Sequence, residues 1–306
     1  MNPFDPESSA QPPEAELPAE PRAELAYAEG SSVPHGDVAP AAPARDAHVF
    51  RWRDLAYVVA FYVIVGAGLA KLALVTATAM LHTSEEALQE TPAVYVAVVA
   101  ISQVLVSAAL FGFLWLLVRS RGTAPFWTAL GWRALSAAPG EGAGKTATPR
   151  AALVRLGGRY MLGGAALALV IQAASYFAGT KNSVPMEDLF RDRPSVLMMM
   201  ALGILVAPLV EETLFRGCIF PVVSRTFGAP AGILATGMLF GLAHSPQLAG
   251  AWTQVALVMV VGVVLTYVRA RAGTVLASFF VHFGYNTFLF GAFYVATRGL
   301  RYFPGS

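Results

Sequence analysis

The stretch VEETLFRG, residues 210–217, places three ionisable side chains in one and a half turns of an apolar helix: Glu211, Glu212 and Arg216. A charge at the centre of a bilayer costs about 2.5–3.5 kcal/mol on insertion scales, so each of these groups needs a partner. Glu212 and Arg216 are four residues apart, which predicts an ion pair within the helix. On an α-helix Glu211 points about 100° away from Glu212, so its partner must come from another helix or from water.

Two histidines and an asparagine lie in apolar stretches further along the chain: His244 in FGLAH, and His282 and Asn286 in HFGYN. Asn286 follows His282 by four residues, so both project from one helix face, and Phe240 precedes His244 by the same interval. With Glu211 they can converge from three helices in one polar, water-filled pocket. Singly, such residues are more often hydrogen-bonding links between helices. Their joint occurrence favours a chemical site, because a carboxylate beside an imidazole suits general acid–base catalysis.

The composition is that of an integral membrane protein. Of 306 residues, 56% are hydrophobic and 13% charged, and the mean hydropathy is +0.57. A formal net charge of +2 gives no reason to expect nucleic acid as a partner. The single cysteine, Cys218, cannot form an internal disulfide.

Seven apolar stretches are candidates for spanning helices, each of which needs about 20 apolar residues. They are Leu55 to Leu81, Ala93 to Val118, Tyr160 to Ala178, Ser195 to Val223, Ala229 to Ser245, Ala249 to Val268 and Thr274 to Thr297. The fourth is long enough to tilt, to break at Pro208 or to continue past the membrane surface, and the fifth is short. The predicted fold class is all-α: a polytopic membrane helix bundle of about seven transmembrane helices with a disordered N-terminal tail.

The loop charges predict the orientation. The connection between the second and third stretches is rich in Arg and Lys, whereas the loop after the first contains Glu85, Glu86 and Glu90 without a basic residue. Basic loops face the cytoplasm, which places the N-terminus there and makes the chain a multi-pass protein of the cell membrane. Arg298 and Arg301 near the C-terminus break this pattern. Entered from the cytoplasm, the fifth stretch carries His244 about 20 Å along its helix, an awkward depth beside Glu211 unless the helices tilt or break.

The first fifty residues differ in kind from the remainder. Residues 1–50 are rich in Pro, Ala and acidic residues and lack an apolar run, which predicts a disordered cytoplasmic tail. Residues 51–306 form the predicted transmembrane domain, in which residues 195–290 contain every motif described above.

The motif set resembles a known family. EETLFR matches E-E-x-x-x-R, FGLAH matches F-x-x-x-H and HFGYN matches H-x-x-x-N, in the order found in the CPBP intramembrane proteases. That group contains the CAAX prenyl endopeptidases and the Abi-type bacteriocin-processing or immunity proteins. The resemblance covers about residues 195–290, the last third of the chain.

The resemblance implies hydrolysis of a peptide bond inside the membrane, in a membrane-associated or prenylated-type peptide or protein substrate. It implies that Glu211, with His244, activates a water molecule, and that His282 and Asn286 stabilise the oxyanion. Glu212 and Arg216 are then a supporting pair, and Phe240 a supporting residue. Peptide and lipid bilayer are the expected partners, with no nucleic acid.

Whether a metal takes part stays open. The family is customarily described as a metalloprotease, and Glu211, His244 and His282 provide the two-histidine, one-carboxylate set of a catalytic zinc site. The chain lacks an H-E-x-x-H helix, and a metal-free glutamate mechanism uses the same residues.

Two other classes of function compete with the protease. One is a non-catalytic membrane scaffold or bacteriocin-immunity protein that keeps the fold without turnover. The other is an ion or proton transporter, which needs polar groups along a path through the membrane. The first three apolar stretches offer only Lys71, Gln103 and Gln172 for such a path, and Lys71 is expected to snorkel or to pair locally.

Overall fold

The computed structural model describes residues 50–122, 124–135, 149–179 and 192–301. Within these ranges every regular element is helical, as the sequence predicts. The predicted disordered tail lies outside the described residues, apart from Phe50. In chain order the α-helices are α1 Trp52–Leu81, α2 Glu85–Gln89, α3 Pro92–Arg121, α4 Phe126–Ala129, α5 Pro149–Phe177, α6 Arg193–Ala201, α7 Ala207–Glu211, α8 Phe220–Phe227, α9 Ala229–Ala243, α10 Trp252–Ala272 and α11 Val275–Ala296.

Six helices in the described parts of the chain are long and apolar enough to cross a membrane. They are α1, α3, most of α5, the continuous rod over Arg193–Phe227, α10 and α11. The fifth predicted span, Ala229 to Ser245, is the 15-residue helix α9, which is about 22 Å long and so shorter than the hydrocarbon core. The structure therefore has six candidate spans among its described residues where the sequence predicted about seven. Helix α9 therefore ends inside the bundle, with His244 as its C-terminal cap.

The Arg193–Phe227 rod contains two π-helical segments, Leu202–Val206 and Glu212–Ile219, on either side of α7. Pro208 near the start of α7 has no N–H to donate, and the wider π turn before it lets Ala207 bond to Leu202, five residues back. The rod does not break at Pro208. From Glu212 to Ile219 the π helix has wider turns than an α-helix, so successive side chains there are spaced by less than 100°.

Glycine contacts bring the site-bearing helices close together. A Cβ on Gly284 of α11 would overlap the carbonyl oxygen of Met161 on α5, and one on Gly164 of α5 would overlap that of Val281. Helices α9 and α10 approach in the same way, since a Cβ on Gly262 would lie 2.7 Å from the Gly237 carbonyl oxygen. Small residues allow this backbone contact in membrane bundles, and here they fix the helices that carry the polar motifs.

The turn at Gly228 sets the depth of His244. Gly228 has φ 83°, a conformation that favours glycine, and it joins α8 to α9 as a tight hairpin. Glu211 precedes Gly228 by 17 residues and His244 follows it by 16, so the two side chains reach the same level of the hairpin. The expected difficulty with the depth of His244 therefore does not arise.

Candidate functional site

A cavity of about 1190 Å³ lies between these helices and contains the predicted site residues. Glu211, His244, His282 and Asn286 all contribute to its wall. The first half of the chain contributes to the same wall through α1, α2 and α3, with Tyr62, Glu86, Gln89, Glu90, Pro92, Tyr95, Val99 and Gln103. The cavity is a compartment within the bundle in which water can reach otherwise buried polar groups.

Glu211 faces both imidazoles. Its Oε2 atom lies 3.8 Å from Nε2 of His244 and 3.8 Å from Nε2 of His282. Its side chain is 24% exposed, through the cavity. These separations are too long for a direct hydrogen bond but suit a single bridging water molecule. The partner that the sequence required for Glu211 thus comes from two other helices.

The tautomer of His244 follows from its backbone contact. Nδ1 lies 2.7 Å from the carbonyl oxygen of Phe240, four residues earlier. A carbonyl oxygen only accepts, so Nδ1–H donates and the neutral ring presents the lone pair of Nε2 towards Glu211. His244 is therefore oriented as a proton acceptor facing the cavity.

His282 is bound between two carboxylates. Nδ1 donates to Oε1 of Glu212 at 3.0 Å, and Nε2 faces Glu211. The ring is 95% buried, so the Glu212 contact fixes both its orientation and its tautomer. When protonated, His282 can donate from Nε2 into the cavity while Glu212 stabilises the positive charge.

The predicted pair between Glu212 and Arg216 is present and is part of a larger network. Arg216 Nη1 donates to Oε1 of Glu212 at 2.8 Å, and both side chains are fully buried. Arg216 Nη2 donates to the carbonyl oxygen of Gly262 at 2.9 Å, and Nε donates to Thr266 at 3.3 Å. Arg216 is thus hydrogen-bonded through all three of its nitrogens, and Oε1 of Glu212 accepts from both Arg216 and His282. These hydrogen bonds help to offset the cost of burying the two charges.

Phe240 packs against this network. Its ring lies edge-on to His282 with centroids 5.8 Å apart, and 4.5 Å from the His244 ring centroid. The Arg216 guanidinium carbon lies 4.5 Å from the Phe240 ring centroid, within cation–π range. The F-x-x-x-H motif therefore provides both a carbonyl that orients His244 and a ring that separates the Arg216 charge from the cavity.

Asn286 is oriented by the first π-helical segment. Its side-chain nitrogen donates to the carbonyl oxygen of Gly203 at 2.6 Å. The amide nitrogen carries two hydrogens, so this bond leaves one donor for a ligand. Asn286 lies one helical turn beyond His282 on the cavity wall.

The donor atoms of the predicted two-histidine, one-carboxylate zinc set lie slightly farther apart than those around a bound zinc ion. No group of three or more His, Cys, Asp and Glu side chains in the described parts of the chain is arranged to hold a metal ion. Tetrahedral zinc with ligands at about 2.0–2.2 Å holds neighbouring donor atoms about 3.3–3.6 Å apart. The Glu211–His244 and Glu211–His282 separations are 3.8 Å. The steps proposed below use the side chains alone, and a chelator tests the metal separately.

Sequence reasoning missed the groups that position the predicted residues. These are the carbonyls of Gly203 and Gly262 and the Thr266 hydroxyl. Tyr62 and Gln103 line the same cavity, although the sequence offered Gln103 only for a transport path. Every residue has a backbone carbonyl, so the sequence does not mark the ones that accept these hydrogen bonds. The remaining groups lie on helices whose neighbours only the fold determines.

Three comparisons with known proteins bear on this geometry. A family model described as Rce1-like, Type II CAAX prenyl endopeptidase Rce1-like, matches residues 193–288. No curated protein and no solved structure matches the chain. The matched segment begins with α6 and ends within α11, so it contains Glu211, His244, His282 and Asn286. The match confirms the family expected from the three motifs, and residues 193–288 are assigned to the CPBP group of CAAX-type membrane proteases.

Proposed function

We propose that the chain is an intramembrane endopeptidase that hydrolyses a peptide bond of a membrane-associated or prenylated-type substrate in the Glu211 cavity. One observation carries the proposal: Glu211 Oε2 lies 3.8 Å from Nε2 of both His244 and His282 inside a cavity of about 1190 Å³. A carboxylate and a lone-pair nitrogen at this spacing can bind the same water molecule.

Glu211 and His244 activate that water. As the water oxygen bonds to the scissile carbonyl carbon, a proton passes to Glu211, and the Nε2 lone pair of His244 holds the second hydrogen of the water. A base positioned in this way contributes about 10²–10⁴ in rate. The carbonyl oxygen then carries the negative charge of the tetrahedral intermediate.

His282 and Asn286 stabilise that oxygen. The free amide hydrogen of Asn286 and a proton on Nε2 of His282 are the two donors, each oriented by a second contact. One such donor contributes about 2.7–4 kcal/mol in acyl transfer. When the carbon–nitrogen bond breaks, Glu211 returns its proton to the leaving nitrogen, giving a carboxylic acid and an amine as products.

The test uses wild-type protein and a Glu211→Gln variant incubated with peptide and prenylated-peptide libraries. New termini, read by mass spectrometry, are expected with wild type and not with the variant. Glu85→Gln is the matched control, because Glu85 pairs with Lys71 outside the cavity and its loss leaves cleavage intact. If neither wild type nor Glu211→Gln produces new termini, and both support the same biological role, the protein is a non-catalytic scaffold.

A chelator added to the active protein tests the metal separately. We expect cleavage to continue, because the proposed steps use side chains alone. If the chelator abolishes cleavage and added zinc restores it, the reaction requires a metal ion.

A further inference from the structure

Among the described residues, exposed side chains of the cavity wall lie at one end of the bundle. The outer wall of the cavity is formed by α2, the first turns of α3, the α9–α10 connection and the last turn of α11. Glu86, Gln89 and Glu90 on this rim are exposed, and Gln247 lies beside them on the cavity wall. We call this end the mouth. Hydrogen bonds from its own backbone N–H and from Ser84 hold the pKa of Glu86 below its ordinary value, so the rim is charged at neutral pH.

Contacts between helix ends define the opposite end of the bundle. Asp54 at the start of α1 pairs with Arg121 at the end of α3. Trp52 donates to Thr226 at the end of α8 at 2.9 Å. The Arg133 backbone N–H donates to Thr274, which caps α11, at 3.1 Å. The start of α1, the ends of α3 and α8, and the start of α11 therefore lie together, away from the mouth.

Basic residues are concentrated at this opposite end. Among the described residues, Asp54 is the only acidic residue at this end. The arginines within or next to the helix ends there are Arg51, Arg53, Arg119, Arg121, Arg133, Arg150, Arg155, Arg225, Arg269 and Arg271. At the mouth end the charges are balanced: Glu85, Glu86, Glu90 and Asp192 with Lys71, Arg193, Arg298 and Arg301. Arg298 and Arg301 thus reduce the asymmetry without reversing it.

We infer that the Glu211 cavity opens on the extracytoplasmic face of the membrane. Lys and Arg close to the ends of spanning helices are retained in the cytoplasm, whereas acidic residues contribute little, so the arginine-rich end is cytoplasmic. The mouth then faces the other side. Given the proposed function, the substrate is a polypeptide segment exposed on that side, such as the outer loop or the translocated end of a membrane-anchored protein.

The orientation can be tested without any activity. Gln89→Cys places a thiol on the mouth rim, and Ser120→Cys places one at the exposed end of α3. Cys218, the only native cysteine, is 1% exposed, so wild type is the unlabelled control. A membrane-impermeant maleimide should label Gln89→Cys in right-side-out vesicles and Ser120→Cys only in inverted or detergent-opened ones. The reverse pattern would overturn the inference.

A second measurement tests the substrate side. Wild type in right-side-out vesicles should cleave a membrane-impermeant peptide library, inverted vesicles should not, and detergent should make the two preparations equal. Cleavage confined to inverted vesicles would contradict the inferred substrate. If no cleavage occurs in either vesicle preparation or in detergent, the proposed function is refuted. The thiol labelling would still determine the orientation of the protein.

Discussion

The same substitution at two adjacent glutamates should have different effects on stability. Glu212→Gln removes the charge that Arg216 and His282 share, whereas Glu211→Gln removes a charge that faces the cavity. We expect the Glu212 variant to lose stability and the Glu211 variant to lose turnover. The comparison is matched, because both changes replace one oxygen by an NH₂ group on neighbouring residues.

The magnitudes follow from burial and contacts. Glu212 is 0% exposed and accepts from Arg216 at 2.8 Å and from His282 at 3.0 Å. Removing one partner of a buried ion pair costs about 3–5 kcal/mol. At about 2–4 °C per kcal/mol for a domain of this size, the midpoint of thermal unfolding should fall by roughly 10 °C. Glu211 is 24% exposed, and its two imidazole contacts are at 3.8 Å, so its substitution should change stability by only about 0.5 kcal/mol.

Thermal unfolding in detergent and peptide cleavage are the two assays. The Glu211 variant should have the same unfolding midpoint as wild type and should cleave peptide at least about 100-fold more slowly. The Glu212 variant should unfold at a lower temperature than wild type. At temperatures where it is still folded, it should cleave peptide more slowly than wild type, because His282 loses its fixed orientation. An unfolding midpoint for Glu212→Gln equal to that of wild type would refute the reasoning, since Arg216 would then not depend on this carboxylate.

Two further predictions concern packing and the oxyanion. Gly284→Ala should destabilise the bundle by about 1–3 kcal/mol, because the new methyl group overlaps the Met161 carbonyl, whereas Gly291→Ala on the same helix meets open space and should be neutral in thermal unfolding. Asn286→Ala should lower kcat by about 10²–10³ with little change in KM, measured by steady-state cleavage; an unchanged kcat would remove Asn286 from the proposed oxyanion site.

Local spacing within the chain predicted those features of the site that lie on one helix. The Glu212–Arg216 pair follows from their four-residue separation and is present at 2.8 Å. His282 and Asn286 share a face of α11 for the same reason. Lys71 pairs locally with Glu85, at 3.4 Å, as one of the two alternatives expected for it. Such relations are set by helix geometry, so they need no knowledge of the neighbouring helices.

Relations between helices were predicted less completely. The sequence indicated that Glu211 needs a partner from elsewhere, but not that Glu212 would bind His282 as well as Arg216. The π-helical turn beginning at Glu212 changes the direction of successive side chains, and hydropathy carries no signal for it. The shortness of α9 was visible in the sequence, yet its consequence for His244 depends on the hairpin at Gly228.

By itself the sequence determined that this chain is a helical membrane protein, which residues could do chemistry, and the family to which their motifs belong. Those properties depend on composition and on short-range spacing. Only the tertiary structure decided which glutamate faces the cavity, how the imidazoles are oriented, and at which end of the bundle the cavity opens. These features depend on hydrogen bonds to backbone carbonyls and on glycine contacts between helices that are distant in sequence. One amino-acid sequence has no periodic pattern that reports such contacts.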